Sequence, residues 1–268
     1  TLIKEEILLP SDKIERSYPS FSPDGKELAF IQDRRKLMVV NLETKKVRQI
    51  TDGTYWPSTG GGFEYQWSPD SKWFTLSFTG NKHDPYYDIG IVSAQGGEIT
   101  NLTNSGYSSG SPAWTMDGNA ILFTSERYGM RNHASWGSME DVFLCFVNQD
   151  AYDKYRLSKE DYELLKEVEK EQEKLKKDAK KTDDKKDAKK DEKKDAVKDI
   201  VMELDGIQDR IVRLTPNSSS LGSAIIDKKG ETLYYTASFE KGMDLWKLDL
   251  RKKEVKLANK NVGYANFE

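Results

Sequence analysis

A chain of 268 residues with 42 basic and 45 acidic side chains carries a formal charge of −3. That near balance offers no basic field for nucleic acid, and no apolar run approaches the ~18 residues of a membrane span. Cys145 is the only cysteine, so no internal disulfide is possible. The length suits one all-β domain with a sizeable core.

Charge is unevenly placed. Between Lys166 and Asp199 lie 26 of the 87 charged side chains, and the rest of the chain has the charge density of an ordinary globular domain. The chain opens at Thr1 without Met or an apolar leader, which gives the expectation of a piece of something longer.

The opening, 1–17, reads as an outer strand or crossover at the end of a preceding blade. FSPDGKELAF from Phe21 then sets a pattern that returns as WSPDSKWFTL from Trp67, WTMDGNAILF from Trp114 and, eroded, IDKKGETLYY from Ile226. The acidic position falls at Asp24, Asp70 and Asp117, with Lys229 in the fourth copy. The first two steps are 46 and 47 residues and the third is 112. A period in the forties made of short strands is the mark of propeller blades. The long third step implies an insertion of about 65 residues in one blade.

Ser-Pro-Asp-Gly fits a type I turn, with Pro presetting φ at the second position. Around it, alternating residues such as Leu28, Phe30 and Leu37, Val39 have the period of half-buried strands. The predicted fold class is therefore all-β: a β-propeller of four-stranded antiparallel blades, about four of them, in an incomplete ring. Blade one covers 18–53, blade two 63–104, blade three 111–150 with 208–216, and blade four 222–258. A further blade starts at 263–268. The fourth strands rhyme on Thr51, Thr103 and Thr215. Phe21, Trp67 and Trp114 are expected to wedge between neighbouring sheets.

The insertion, 151–207, opens with a helix signal: Ser158 and Asp161 form a capping box, and Leu157 with Tyr162 a hydrophobic staple. Leu164, Leu165, Val168, Leu175 and Ala179 recur on roughly one face. Beyond Ala179 only Lys/Asp pairs remain, so the helix is expected to dock at its start and be solvated or disordered further on. A partner-binding coiled coil is the sharper reading of that stripe. Order is expected to resume as a strand-like run over Lys198–Leu204.

Motifs of chemistry are sparse. His83 and His133 stand fifty residues apart, with no Cys/His spacing for zinc, so no metal or cofactor is expected. No Gly-x-Ser-x-Gly elbow surrounds any serine, and the glycines at 60–62 lack the Lys-Ser/Thr of a phosphate loop. Cys145 sits in the apolar DVFLCFV as a buried, inert thiol. Two sequon matches begin at Asn101 and Asn217. The most site-like stretch is SERYGMRNHASWGSMED, which gathers Arg127, Tyr128, Arg131, His133 and Trp136 between two strands of blade three. The equivalent loop of blade two, Gly80 to Gly90, adds His83 and Tyr86. Arg with aromatic residues is the composition of a recognition surface, and equally of a loop tied down by its own side chains. A glycosidase would need carboxylates converging on the central channel, whereas Asp24 and Asp70 sit in turns.

The SPDG repeats are similar to those of TolB and the tricorn proteases. Four longer runs, SDKIERSYPSFSPDGKELAF, SERYGMRNHASWGS, NQDAYDKYRLSKEDYELLKE and DGIQDRIVRLTPNSS, resemble the second propeller of bacterial tricorn-like peptidases of the S41 class of serine peptidases. The resemblance implies a parent serine peptidase whose PDZ domain and catalytic core lie outside these residues, so that no catalytic residue is assigned to this chain. It implies a propeller that admits, filters or steers peptide substrates, with the PDZ and catalytic domains of the parent chain as partners and a possible homo-oligomer. A periplasmic or cell-envelope location is implied in the same way. The rival reading is a free-standing TolB-like interaction module.

Overall fold

The computed structural model describes residues 5–53, 64–80, 86–131, 137–183, 198–263 and 267. Among these residues, sixteen strands form four antiparallel sheets of four. The first sheet holds β1 (Arg16–Phe21), β2 (Glu27–Gln32), β3 (Lys36–Asn41) and β4 (Val47–Gln49). The second holds β5 (Tyr65–Trp67), β6 (Trp73–Phe78), β7 (Asp88–Ser93) and β8 (Thr100–Asn101). The third holds β9 (Ser109–Thr115), β10 (Ala120–Ser125), β11 (Asp141–Phe146) and β12 (Ile211–Arg213), with α1 (Gln149–Arg156) and α2 (Lys159–Asp183) between its last two strands. The fourth holds β13 (Ser220–Ile226), β14 (Thr232–Ser238), β15 (Asp244–Asp249) and β16 (Glu254–Asn259).

Each sheet is a simple meander, and the alternation of its middle strands sends side chains to two neighbours. In β2 and β3, Ala29, Ile31, Leu37 and Val39 meet Phe74, Leu76 and Phe78 of β6. In β10 and β11, Ile121, Phe123, Phe143 and Cys145 turn back to Ile89 and Ile91 of β7. The opposite faces of those two strands, with Leu122, Val142, Leu144 and Phe146, turn forward to Leu233, Tyr235 and Leu248. Three large apolar clusters therefore join consecutive sheets, as blades of a propeller require. Cys145 is fully enclosed, which pushes its thiol up to about 12.

The repeated turn closes as its sequence dictates. Gly25 N–H donates to the Ser22 carbonyl at 2.8 Å with Gly25 at φ 71, a conformation that favours glycine. The Ser22 hydroxyl donates to Asp24 Oδ1 at 2.6 Å, and the pattern repeats at Ser68 and Asp70 at 2.5 Å. In the eroded fourth copy Asp227 takes over, accepting from the Glu231 and Thr232 amides.

Register fixes the equivalence of the aromatic positions: Phe21 pairs with Leu28, Trp67 with Phe74, Trp114 with Ile121 and Ile226 with Leu233. Their burial differs from expectation. Trp67 and Trp114 lean on the sheet before them, their indoles donating to the Ser20 and Gln66 carbonyls at 3.1 and 3.3 Å. Phe21 is 66% exposed, because no described strand precedes β1 for it to lean on. Residues 5–15 form no strand either. Leu8 and Leu9 instead lie on Phe30, Met38 and Val40, on the far face of the first sheet.

α1 is capped by Asn148, whose side chain accepts from the Ala151 amide, and Ser158 accepts from the Asp161 amide at 3.1 Å at the start of α2. Tyr162, 9% exposed, sits under the Arg251 guanidinium at 3.8 Å. Arg251 Nη1 also donates to the Tyr155 carbonyl at 2.5 Å, so the helical pair is held to the fourth sheet. The run Lys198–Leu204 is not a strand. Ile200, Met202 and Leu204 all turn onto the cluster between the second and third sheets, and Glu203 makes one backbone bond to Val147. Arg210, 5% exposed, then ties the returning chain by donating to the Phe146 and Asp205 carbonyls.

Candidate functional site

The first strand of each blade is an edge strand of its sheet, and all four first strands line one cavity of about 640 Å³. Three of them are bulged. Pairing slips between Ser17 and Ser20 in β1, opposite Leu122–Thr124 in β9 and between Leu221 and Ala224 in β13. At the first two places Tyr18 and Ser111 have φ 51 and 52, each just before a proline. A bulge leaves backbone groups without ladder partners, and here neighbouring blades supply some. The Tyr65 hydroxyl donates to the Tyr18 carbonyl, and Glu64 Oε2 accepts from the Ser111 amide at 2.7 Å. Burial pushes the Tyr65 phenol up.

Carboxylates gather beside this cavity. Glu140 stands just before β11, and its Oε1 is 3.5 Å from the hydroxyl of Thr124, a lining residue. Burial first, then the charges of Glu126, Glu64 and Asp141, push Glu140 up to about 7. Glu126 is 8% exposed and its Oε2 has no hydrogen-bond partner among the described residues. Burial raises it, against the Ser138 hydroxyl and the Arg131 guanidinium. Among the described residues, no group of His, Cys, Asp or Glu is arranged to hold a metal ion.

Of the residues singled out in the sequence, Arg127, Tyr128 and Arg131 fall in the loop joining β10 to β11. Arg127 and Arg213 approach the Tyr128 ring to 5.6 and 5.2 Å. Tyr128 in turn stacks on Phe143 at 6.0 Å. Arg131 lies 4.1 Å over Tyr107, away from that stack. Tyr86 is half-buried just before β7. His83, His133 and Trp136 lie outside the described residues. Asp24 and Asp70 stay in their turns, away from the cavity lining.

The three glutamates were missed because none belongs to a motif. The readable signal was positional: Glu126 and Glu140 flank the pair Ser125–Asp141 that closes the β10–β11 ladder. Both ends of the flagged loop therefore start from an acid.

No family model matches the chain. It is 30% identical over 116 residues to the uncharacterized peptidase YuxL of Bacillus subtilis (strain 168), a match covering 40% of this chain and 16% of that protein. It is 25% identical over 107 residues to a Sulfurisphaera tokodaii protein provisionally named a tricorn-like protease C-terminal subunit, covering 40% of this chain and 12% of that one. Among solved structures, the tricorn protease superposes over 92% of this chain and 22% of its own with a TM-score of 0.56 at 13% identity. The chain thus spans less than a quarter of each of these proteins, and at such identity the structural likeness speaks for the fold. That fold is a β-propeller, with four four-stranded blades among the described residues.

Proposed function

We propose that this chain is a non-catalytic propeller segment of a tricorn-like serine peptidase, which receives unstructured peptide in its inner-strand cavity and steers it toward a catalytic core outside these residues. The observation that carries the reading is the cavity itself, walled by the first strand of every blade. Edge strands present N–H and C=O groups that an extended peptide can pair with irrespective of its sequence, which suits a filter better than a selective pocket. The peptidase names of the sequence relatives support the choice of peptide as the guest. Assembly with PDZ and S41-class catalytic domains, and a periplasmic or envelope setting, belong to the same reading.

The test is to titrate a labelled unstructured peptide with the purified chain and follow anisotropy and cleavage together. Saturable binding without turnover is expected. Turnover blocked by a serine-directed reagent, or no binding up to millimolar chain, overturns the reading.

A further inference from the structure

The inner-strand cavity has a charged end that the steering role does not require. Glu64 lines it, Glu140 touches its wall through Thr124, and Glu126 stands buried with Oε2 unpartnered among the described residues. Of the three acids acting on Glu140, Glu126 has the largest effect, ahead of Glu64 and Asp141. Among the described residues, Arg213 is taken up by Asp141, to which it donates at 2.8 Å, and Arg131 lies over Tyr107 and reaches Glu126 through its charge alone. A buried carboxylate oxygen without a donor costs free energy that a cationic guest would recover.

We propose that Glu64, Glu126 and Glu140 form a subsite for a cationic side chain, Lys or Arg, of a peptide lying in the cavity. This rests on the peptide-steering reading and names the class of peptide it prefers. An ammonium or guanidinium among the three carboxylates supplies the hydrogen-bond donors that Glu126 Oε2 lacks and relieves the repulsion between Glu64, Glu126 and Glu140. Charge-assisted bonds of this kind are the strong ones. A divalent metal fits worse, since the acidic side chains do not converge in metal-ligand geometry among the described residues. Protonation competes with the guest. The groups facing Glu140 are Glu126, Glu64, Asp141 and the Thr124 hydroxyl, and Glu140 is pushed up to about 7, so acidification toward pH 6 protonates Glu140 and weakens the hold on the cation.

The experiment uses three labelled, N-acetylated and C-amidated peptides of one Gly/Ser frame, with Lys-Lys, Gln-Gln or Glu-Glu at the centre. At pH 8 the Lys peptide is expected to bind at least tenfold tighter than the Gln peptide, and the Glu peptide weakest. At pH 6 the Lys advantage shrinks several-fold. Glu64→Gln and Glu140→Gln are each expected to reduce the ratio of Lys-peptide to Gln-peptide affinity about fivefold. Equal affinities at pH 8, or a Lys preference retained in the double variant, overturn the subsite and leave the steering role standing. Failure of all three peptides to bind overturns the steering role itself. The comparison of peptides on the unmodified chain requires no variant to fold.

Discussion

The Thr215 hydroxyl donates to the fully buried Asp141 at 2.7 Å, across 74 residues of sequence that include the whole helical insertion. The same Thr215 oxygen accepts from the Val142 amide at 3.1 Å. Thr103 makes the matching pair of bonds with Asp88 and the Ile89 amide, at 2.5 and 3.1 Å. Thr51 keeps only the second, to the Leu37 amide, because Lys36 stands where the acid would be. The rhyme of threonines is thus a clasp between the third and fourth strands, and it brings the fourth strand home after the insertion.

Thr215→Val should accordingly cost about 1–3 kcal/mol, since it withdraws a donor from a buried charge. Asp141 retains Arg213 and the Ser218 hydroxyl, which keeps the loss from being larger. Thr51→Val, which orphans no acid, should cost only ~1 kcal/mol. Urea midpoints of the two variants compare them directly, and a larger shift for Thr51→Val would contradict the clasp.

Glu140 sets a pH dependence whose sign is opposite to that of a paired carboxylate. Its pKa rises from 4.5 to about 7 on folding, so between those values the folded chain binds more protons and stability falls as pH rises. Above about pH 7 the loss is complete, of order ~3 kcal/mol at most. Glu140→Gln should flatten this part of the profile and stabilise the chain at pH 8. Urea unfolding from pH 4.5 to 8 checks it, and a variant destabilised at pH 8 would count against the buried-acid picture.

Docking of the helical pair depends on Tyr162 beneath Arg251. A desolvated cation–π contact is worth roughly 1–2 kcal/mol. Tyr162→Ala should speed trypsin cleavage between Lys159 and Lys170 several-fold while leaving the sheet signal in far-ultraviolet circular dichroism unchanged. Ser158→Ala, which removes a cap worth ~1 kcal/mol, should act in the same direction but less strongly.

The β10–β11 loop is closed by Met139 N–H donating to the Met130 carbonyl at 2.9 Å, and a Cβ on Gly129 would collide with the Met139 carbonyl. Gly129→Ala should reopen the loop and displace Arg127, Tyr128 and Glu140. It is expected to reduce peptide binding with a melting shift of only a few degrees. Unchanged binding would separate this loop from the cavity.

The sequence repeats were enough to read the blades, because each turn is specified locally by Ser22, Asp24 and Gly25 or their counterparts. What lay beyond reading depended on contacts between distant segments. The alternation of Ile200, Met202 and Leu204 imitates a strand, but the period arises from an extended chain covering an existing cluster without a ladder partner. Phe21 has an apolar ring like Trp67 but neither its indole donor nor a described strand to rest on. Glu126 and Glu140 flank one hairpin, but Glu64 joins them only when the second and third blades meet, so no spacing betrays all three.

Hydrogen exchange of the chain with and without an unstructured Lys-containing peptide tests the steering role most directly. Protection should appear at the amides of β1, β5, β9 and β13, the walls of the cavity, with the outermost strands β4, β8, β12 and β16 unchanged. Protection confined to the outermost strands, or none at saturating peptide, would contradict it.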